Sequence, residues 1–351
     1  MERPTHTRPP RSRKWHRPHG RKWQSAFAAV LVAATMAAAC TQGTVNQASP
    51  LPPPPAPEQA KKQNFGPYAV GVRTESFVDA TRPTDPNGGQ PGRPSRTLQT
   101  MVLYPAQGEP SDRDVPDAPP ARDSGPFPLI EFSHGFTANG PSYTPILRRL
   151  AAAGYVVAAP TFPLSSRGAP GGPSGADYKN QPADVSFVIS EMLRLDGDGT
   201  SLLCGMVDPG KVAVSGHSLG AMTTLGVAYN TCCTDPRIKA AVPISGIEAT
   251  FPGGSFVYPS RAPLLLIHGD ADATVPYRGS EHVYRAASAP KFLLTIVHGP
   301  HTPFAGAAGE VIVKVMLDFF DHYLKGRDGS LEAITQQGNI VGTTTLVSAL
   351  T

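Results

Sequence analysis

From about residue 67 onward, apolar residues gather into runs of five or six that alternate with longer stretches of helical spacing. The runs 128–133, 155–159, 211–215, 238–244, 263–268 and 291–297 show little polar alternation. Strands of that kind are buried on both faces, as in a parallel sheet covered by helices. Between them, 143–153 sets Ile146, Leu147 and Leu150 at helical spacing and stops at Gly154. Residues 183–195, 219–229 and 308–324 predict further helices, the last long and amphipathic. Two β-rich stretches, 68–78 and 97–104, come first and are separated by the turn-rich segment 83–94. They predict an opening antiparallel pair. The pattern as a whole predicts an α/β fold: about eight strands, mostly parallel, with helices on both faces, in one domain over 67–327. Residues 328–351 are weakly patterned and read as a C-terminal tail.

The first 66 residues follow a different pattern. Eight of the 31 basic residues and one of the 27 acidic residues fall in 1–23, so the rest of the chain carries a net charge of −3. The formal +4 therefore belongs to a short basic head. The body has no basic run of the kind that binds nucleic acid. After the head, residues 24–39 are uncharged and rich in Ala and Val. That is shorter than the ~20 residues of a spanning helix. A basic region, an apolar region and small residues at the end predict a signal peptide over 1–39. Ala37-Ala38-Ala39-Cys40 resembles a bacterial lipoprotein processing site, which would make Cys40 a lipidated first residue and a membrane anchor. The Pro-rich stretch 51–57 then reads as part of an extended tether, 40–66.

An exported chain permits disulfides. Cys204 precedes the strand 211–215, and Cys232 and Cys233 follow the helix 219–229. The expected pairing is Cys204–Cys232, which would brace that helix. The adjacency of Cys232 and Cys233 leaves the choice between them open, and the odd count leaves one thiol free. No Cys/His spacing suggests a zinc site.

The candidate chemistry centres on Gly216-His217-Ser218-Leu219-Gly220, a G-x-S-x-G pentapeptide set between an apolar strand and an apolar helix. That context is the strand-to-helix turn that lifts a nucleophilic serine above a sheet. Small residues at 216 and 220 let strand and helix approach. The Leu219 backbone N–H points to the same place and is the first oxyanion donor. A serine hydroxyl needs a base to take its proton, and the base needs an acid to fix its tautomer. His298 and His301 compete for the first role, Asp270 and Asp272 for the second.

These residues resemble the α/β-hydrolase superfamily, whose partners follow in the order Ser, Asp, His. The nearer resemblance is to the branch holding platelet-activating-factor acetylhydrolases, chlorophyllases, dienelactone hydrolases and cutinase-like polyester hydrolases. It is carried by Leu103-Tyr104-Pro105-Ala106, Ser133-His134-Gly135-Phe136, the Ser218 pentapeptide and His268-Gly269-Asp270-Ala271-Asp272, and it covers most of 67–327. The resemblance implies an α/β-hydrolase fold. Its G-x-x-D-x-x-V-P spacing selects Asp272, and its loop after the last strand selects His301. It also implies Phe136 N–H as the second oxyanion donor. His134, His217 and His268 read as buried structural histidines.

The implied activity is carboxylic ester hydrolysis through an acyl-enzyme on Ser218, which requires no metal and no organic cofactor. Only about 15 residues separate Ile247 from Arg261, too few for a helical lid. The expected site is therefore open, suited to short-chain, lipid or polymeric esters, with the Gly/Pro-rich loop 165–175 and the aromatic residues Phe136, Phe162 and Tyr277 lining the acyl cleft. Within enzymes, a phospholipase A2 or platelet-activating-factor acetylhydrolase-like activity, a thioesterase and an envelope acyltransferase stay open. A catalytically inactive, ligand-binding surface lipoprotein is the alternative of another class.

Overall fold

The structure is a computed structural model, and it describes residues 66–259 and 262–351. The expected signal peptide, Cys40 and nearly all of the tether lie outside the described residues.

Ten strands form one sheet in the order β10-β9-β8-β7-β6-β4-β5-β2-β1-β3. In chain order, β1 (Ala69–Asp79), β2 (Arg96–Ala106) and β3 (Asp114–Pro116) form one flank. The central strands are β4 (Phe127–Ser133), β5 (Val156–Thr161), β6 (Val207–His217), β7 (Ile238–Ile244), β8 (Leu264–Gly269) and β9 (Lys291–Ile296). These six are mutually parallel. The opening pair expected from 68–78 and 97–104 is the antiparallel β1–β2 ladder, and β2 runs antiparallel to β5.

The continuous apolar runs have a simple cause. Successive strand residues face opposite sides, so a strand covered on both faces needs an apolar residue at every position. In β4, Leu129 joins the core beneath α2 (Gln181–Gly197), α3 (Leu219–Tyr229) and α4 (Arg278–Ala286), as shown by its cluster with Val185, Leu225 and Val283. Its neighbour Ile130 joins the opposite core, beneath α1 (Thr144–Ala152) and α5 (Gly306–Lys325), with Leu147 and Phe319.

The chain steps from β4 to β5 on one side, then crosses to β6 on the other side of β4. Such a reversal opens a crevice at the carboxyl ends of the strands, where open α/β sheets bind ligands. The loop after β4 and the loop after β6 meet there.

Residues 328–351 are part of this sheet. They form α6 (Ser330–Gly338), which packs on α5 through Ile334, and β10 (Thr344–Ala349), which pairs antiparallel with β9. The fold thus runs past residue 327.

No helix occurs among the described residues of the β7–β8 connection. Its backbone is stitched to the end of α3: Thr231 N–H donates to Ser255 O and Val257 N–H to Tyr229 O, each at 2.9 Å. It lies down along that helix.

The cysteine expectation is corrected. Cys232 and Cys233 are bonded to each other, and Cys204 is free. Their segments are tied to different neighbours. Arg122 holds the Cys204 turn through the carbonyls of Leu202 and Cys204, at 2.6 and 2.9 Å. The turn at Cys232 is instead fastened by Asn230 Oδ1, which accepts its N–H at 3.1 Å.

Candidate active site

Ser218 sits between β6 and α3 with φ 57° and ψ −116°, a left-handed conformation costly for a residue with a side chain. Its surroundings impose it. Ser218 N–H donates to Ile244 O of β7 at 2.9 Å, while Ser218 O accepts from Ala221 N–H at 3.0 Å to start α3. A Cβ on Gly216 would run into the Gly220 carbonyl, and one on Gly220 into the Ser133 carbonyl. The two glycines thus allow strand, helix and the β4 end to meet at the serine.

Two further loops supply its partners. His301, in the loop after β9, has Nε2 2.9 Å from Ser218 Oγ and Nδ1 2.7 Å from Asp272 Oδ2. The Asp272 side chain, in the loop after β8, is fully buried, and the His301 side chain is 20 % exposed. Burial alone would raise the Asp272 pKa. The amides of Val275 and Thr274, both donating to Oδ1 at 2.8 Å, and His301 outweigh it and hold the carboxyl below its ordinary value. The ionised acid accepts the Nδ1 proton, leaving Nε2 free to accept from the serine hydroxyl.

The competing residues lie elsewhere. Asp270 Oδ1 accepts the His298 backbone N–H at 2.6 Å, and the His298 side chain is exposed. This bond joins the two loops without touching Ser218.

Three buried histidines surround the group. His268 Nε2 faces two acceptors, Val275 O at 3.0 Å and Asp272 Oδ2 at 3.1 Å, so it carries the proton and steadies the acid. His134 Nε2 accepts the Phe162 N–H at 3.0 Å, so its Nδ1–H donates to Gly135 O at 2.7 Å. Gly135 O and Phe136 N–H belong to one planar peptide and point opposite ways. The His134 bond therefore turns Phe136 N–H away from His134. Among the described residues neither Phe136 N–H nor Leu219 N–H donates a hydrogen bond.

His217 links the halves of the site. Its Nε2–H donates to the His301 carbonyl at 2.8 Å, and its Nδ1 accepts from Tyr143 Oη at 2.9 Å. Tyr143 Oη in turn accepts Gly135 N–H at 3.0 Å. One buried chain thus joins the β4 loop to the backbone of His301. Burial lowers the pKa of both His134 and His217 to about 4, so both rings are neutral near pH 7. Tyr143 carried no sequence signal beyond its place at the start of a helix.

A cleft of about 550 Å³ contains Ser218 and His301 and is walled by Phe136, Ile146, Phe304 and Arg167 among others. Phe136 is 45 % exposed at its rim. The expectation for Phe162 and Tyr277 is corrected. Phe162 is fully buried, with its ring centroid 5.0 Å from that of His134, because β5 carries it into the core. Tyr277 starts α4 and turns toward β9, where its Oη meets Thr295 Oγ1 at 2.5 Å beside a separate hollow. Among the described residues no group of His, Cys, Asp and Glu could hold a metal ion.

The Chlorophyllase family model matches residues 116–252, which include Ser218 but neither Asp272 nor His301. Bis(hydroxyethyl) terephthalate hydrolase of Streptomyces coelicolor is 25 % identical over 72 % of this chain and 64 % of its own length. The uncharacterized protein YfhR of Escherichia coli K12 is 38 % identical over 22 % of this chain and 29 % of its own. The chain thus spans less than two thirds of the curated relatives it matches. A ferulic acid esterase structure from Streptomyces cinnamoneus superposes with a TM-score of 0.61 and 24 % identity, over 75 % of this chain and 92 % of that one. The fold is the α/β-hydrolase fold, and the chain is related to that superfamily.

Proposed function

We propose that the protein is an exported serine hydrolase of carboxylic esters. The observation that carries this reading is the unbroken hydrogen-bonded run from Ser218 Oγ through His301 to Asp272 at the mouth of an open cleft. Ser218 Oγ attacks the ester carbonyl as its proton passes to His301 Nε2. The oxyanion is met by the N–H groups of Phe136 and Leu219, each worth about 3–4 kcal/mol in the transition state. The alcohol leaves with the proton from His301, giving an acyl-serine. Water, deprotonated by the same histidine, then releases the acid. Asp272 keeps the imidazole in the required tautomer throughout.

The relative named for bis(hydroxyethyl) terephthalate favours esters of small or polymeric acids over a deeply enclosed lipid. The β7–β8 connection, which forms no helix among its described residues, agrees with that preference. The basic head and apolar run of residues 1–39 support export, with lipidation at Cys40.

The test is hydrolysis of p-nitrophenyl esters from acetate to palmitate by the protein and its Ser218→Ala variant. The expected result is turnover of short esters and a loss of about 10⁶ in kcat in the variant. A folded wild type no faster than the variant on every ester sinks the reading. Labelling by a fluorophosphonate probe, lost in Ser218→Ala, separates an active serine from a ligand-binding module.

A further inference from the structure

Arg167 is the only Lys, Arg, Asp or Glu among the residues lining the cleft of Ser218 and His301. Several arginines of the fold have carboxylate partners, among them Arg96 with two, Arg148 with Asp114 and Arg237 with Asp235; what sets Arg167 apart from the other unpaired arginines is its place on the wall of the Ser218 cleft. Arg167 has none among the described residues, and its side chain is exposed. The rest of that wall is apolar or uncharged, so no lining residue supplies a carboxylate counter-ion to Arg167.

The loop that carries it is fixed. Ser174 N–H closes it onto Leu164 O at 2.7 Å, and Asn87 Nδ2 donates to Pro170 O and Gly172 O at 2.7 and 2.6 Å. Ser165, Ser166 and Ala169 beside Arg167 are buried. Ser165 O accepts Thr137 N–H at 2.8 Å, which ties the loop to the residue after Phe136. Ser165 Oγ accepts from Gln181 Nε2 at 2.9 Å, and Gln181 Oε1 accepts from Thr223 of α3. The charge is therefore carried on backbone anchored both to the β4 loop and to the helix that follows Ser218.

An unpaired guanidinium carried on an anchored loop, at the wall of a cleft with no other charged side chain, suits a carboxylate, whose two oxygens match its paired N–H groups. At about 550 Å³ the cleft has the size of a small-molecule site. We propose that Arg167 forms an anion subsite, and that the substrate is a half-ester of a dicarboxylic acid. Its free carboxylate sits on Arg167 while its ester carbonyl sits at Ser218. Hydrolysis consumes one water, breaks the acyl–oxygen bond and yields an alcohol, a dicarboxylate and one proton. This deepens the esterase reading and rests on it for the scissile bond, but the anion contact does not depend on turnover.

The test compares monoethyl adipate with ethyl hexanoate, which match in chain length and differ in the terminal carboxylate. Calorimetric titration of each into full-length Ser218→Ala, with and without Arg167→Gln, reads binding. Proton release by the wild type and by Arg167→Gln and Arg167→Lys reads turnover. With Arg167 present, the half-ester is expected to bind about tenfold tighter than the neutral ester, or ~1.4 kcal/mol. Arg167→Gln removes that ratio in binding and in kcat/KM, and Arg167→Lys restores part of it. Raising NaCl from about 20 to 500 mM shrinks the ratio with Arg167 and leaves it flat without. Equal binding of the two esters, or a ratio that survives Arg167→Gln, overturns the inference even if both esters turn over. An Arg167-dependent binding preference with no hydrolysis of either ester upholds the anion subsite and removes the half-ester substrate together with the esterase reading.

Discussion

Two buried polar clusters in this molecule hold together by opposite means. One is made of charges. Arg96, 1 % exposed, binds Asp184 at 2.6 and 2.8 Å and Asp177 at 3.0 and 3.1 Å. The other is built around neutral imidazoles, with His134 and His217 each placed between a fixed donor and a fixed acceptor. The charged cluster ties β2 to α2 and the turn before it, and lines no part of the Ser218 cleft. The neutral one reaches the cleft and orients its backbone. A buried charge demands a partner wherever it sits, so it makes a good fastener. A neutral ring that donates on one side and accepts on the other can set the direction of a peptide without adding a charge beside the serine.

Each cluster can be broken separately. The largest effect of these is expected from Asp272→Asn, because Asp272 holds the imidazole of His301, the residue whose carbonyl the neutral cluster grips. It should lower kcat by about 10⁴ in steady-state ester hydrolysis while circular dichroism stays native, because the amide favours the wrong imidazole tautomer. Arg96→Met should do the reverse. It takes the buried cation from two buried carboxylates, leaving Asp184 with the partly exposed Arg82 and Asp177 with the Asn180 amide, and should cost about 3–5 kcal/mol in urea unfolding, with kcat per folded molecule within about twofold. If folded Arg96→Met loses turnover, the division between fastener and aiming device fails.

Acid should sharpen the contrast. The unfolded chain protonates histidine near pH 6.5, whereas folded His134 and His217 resist until about 4. The unfolded state therefore gains protons first as pH falls. The stability these groups contribute is intact above about pH 6.5 and is lost on the way down to about 4, on the order of 3 kcal/mol each. Urea midpoints measured between pH 7 and 4 should decline, and less steeply in His217→Gln. The smallest effect belongs to Tyr143→Phe, which leaves Gly135 N–H and His217 Nδ1 unpaired. It should cost about 1–3 kcal/mol of stability and about tenfold in kcat with KM little changed. A change confined to KM would show that the chain from Gly135 to His301 does not aim the site.

Sequence patterning located all eight strands it predicted, because a strand buried on both faces writes itself as an apolar run. It did not place β10, whose residues are largely exposed on an edge and alternate without a long apolar run. The Ser218 turn was legible because steric demand fixes two glycines around it. His301 and Asp272 were separable from His298 and Asp270 only by loop position, and the structure brings the first pair to Ser218 while tying the second pair to each other. Phe162 and Tyr277 were misread for one reason: an aromatic residue beside a motif has no sequence mark for cleft or core. The Gly/Pro-rich loop 165–175 was expected at the cleft, but Arg167 within it was not singled out, since the lack of a counter-ion is a property of three-dimensional neighbours. The Cys204–Cys232 pairing was inferred from order along the chain, which does not report which segments share an anchor.

The antiparallel pairing of β10 with β9 has a practical consequence for handling the protein. A chain cut soon after α5, where the apolar pattern ends, would leave β9 as a bare edge with a row of unpaired backbone groups. Such an edge recruits strands from other molecules. Truncation at that point is a route to self-association, whereas a tag joined after Thr351 leaves the covering strand in place.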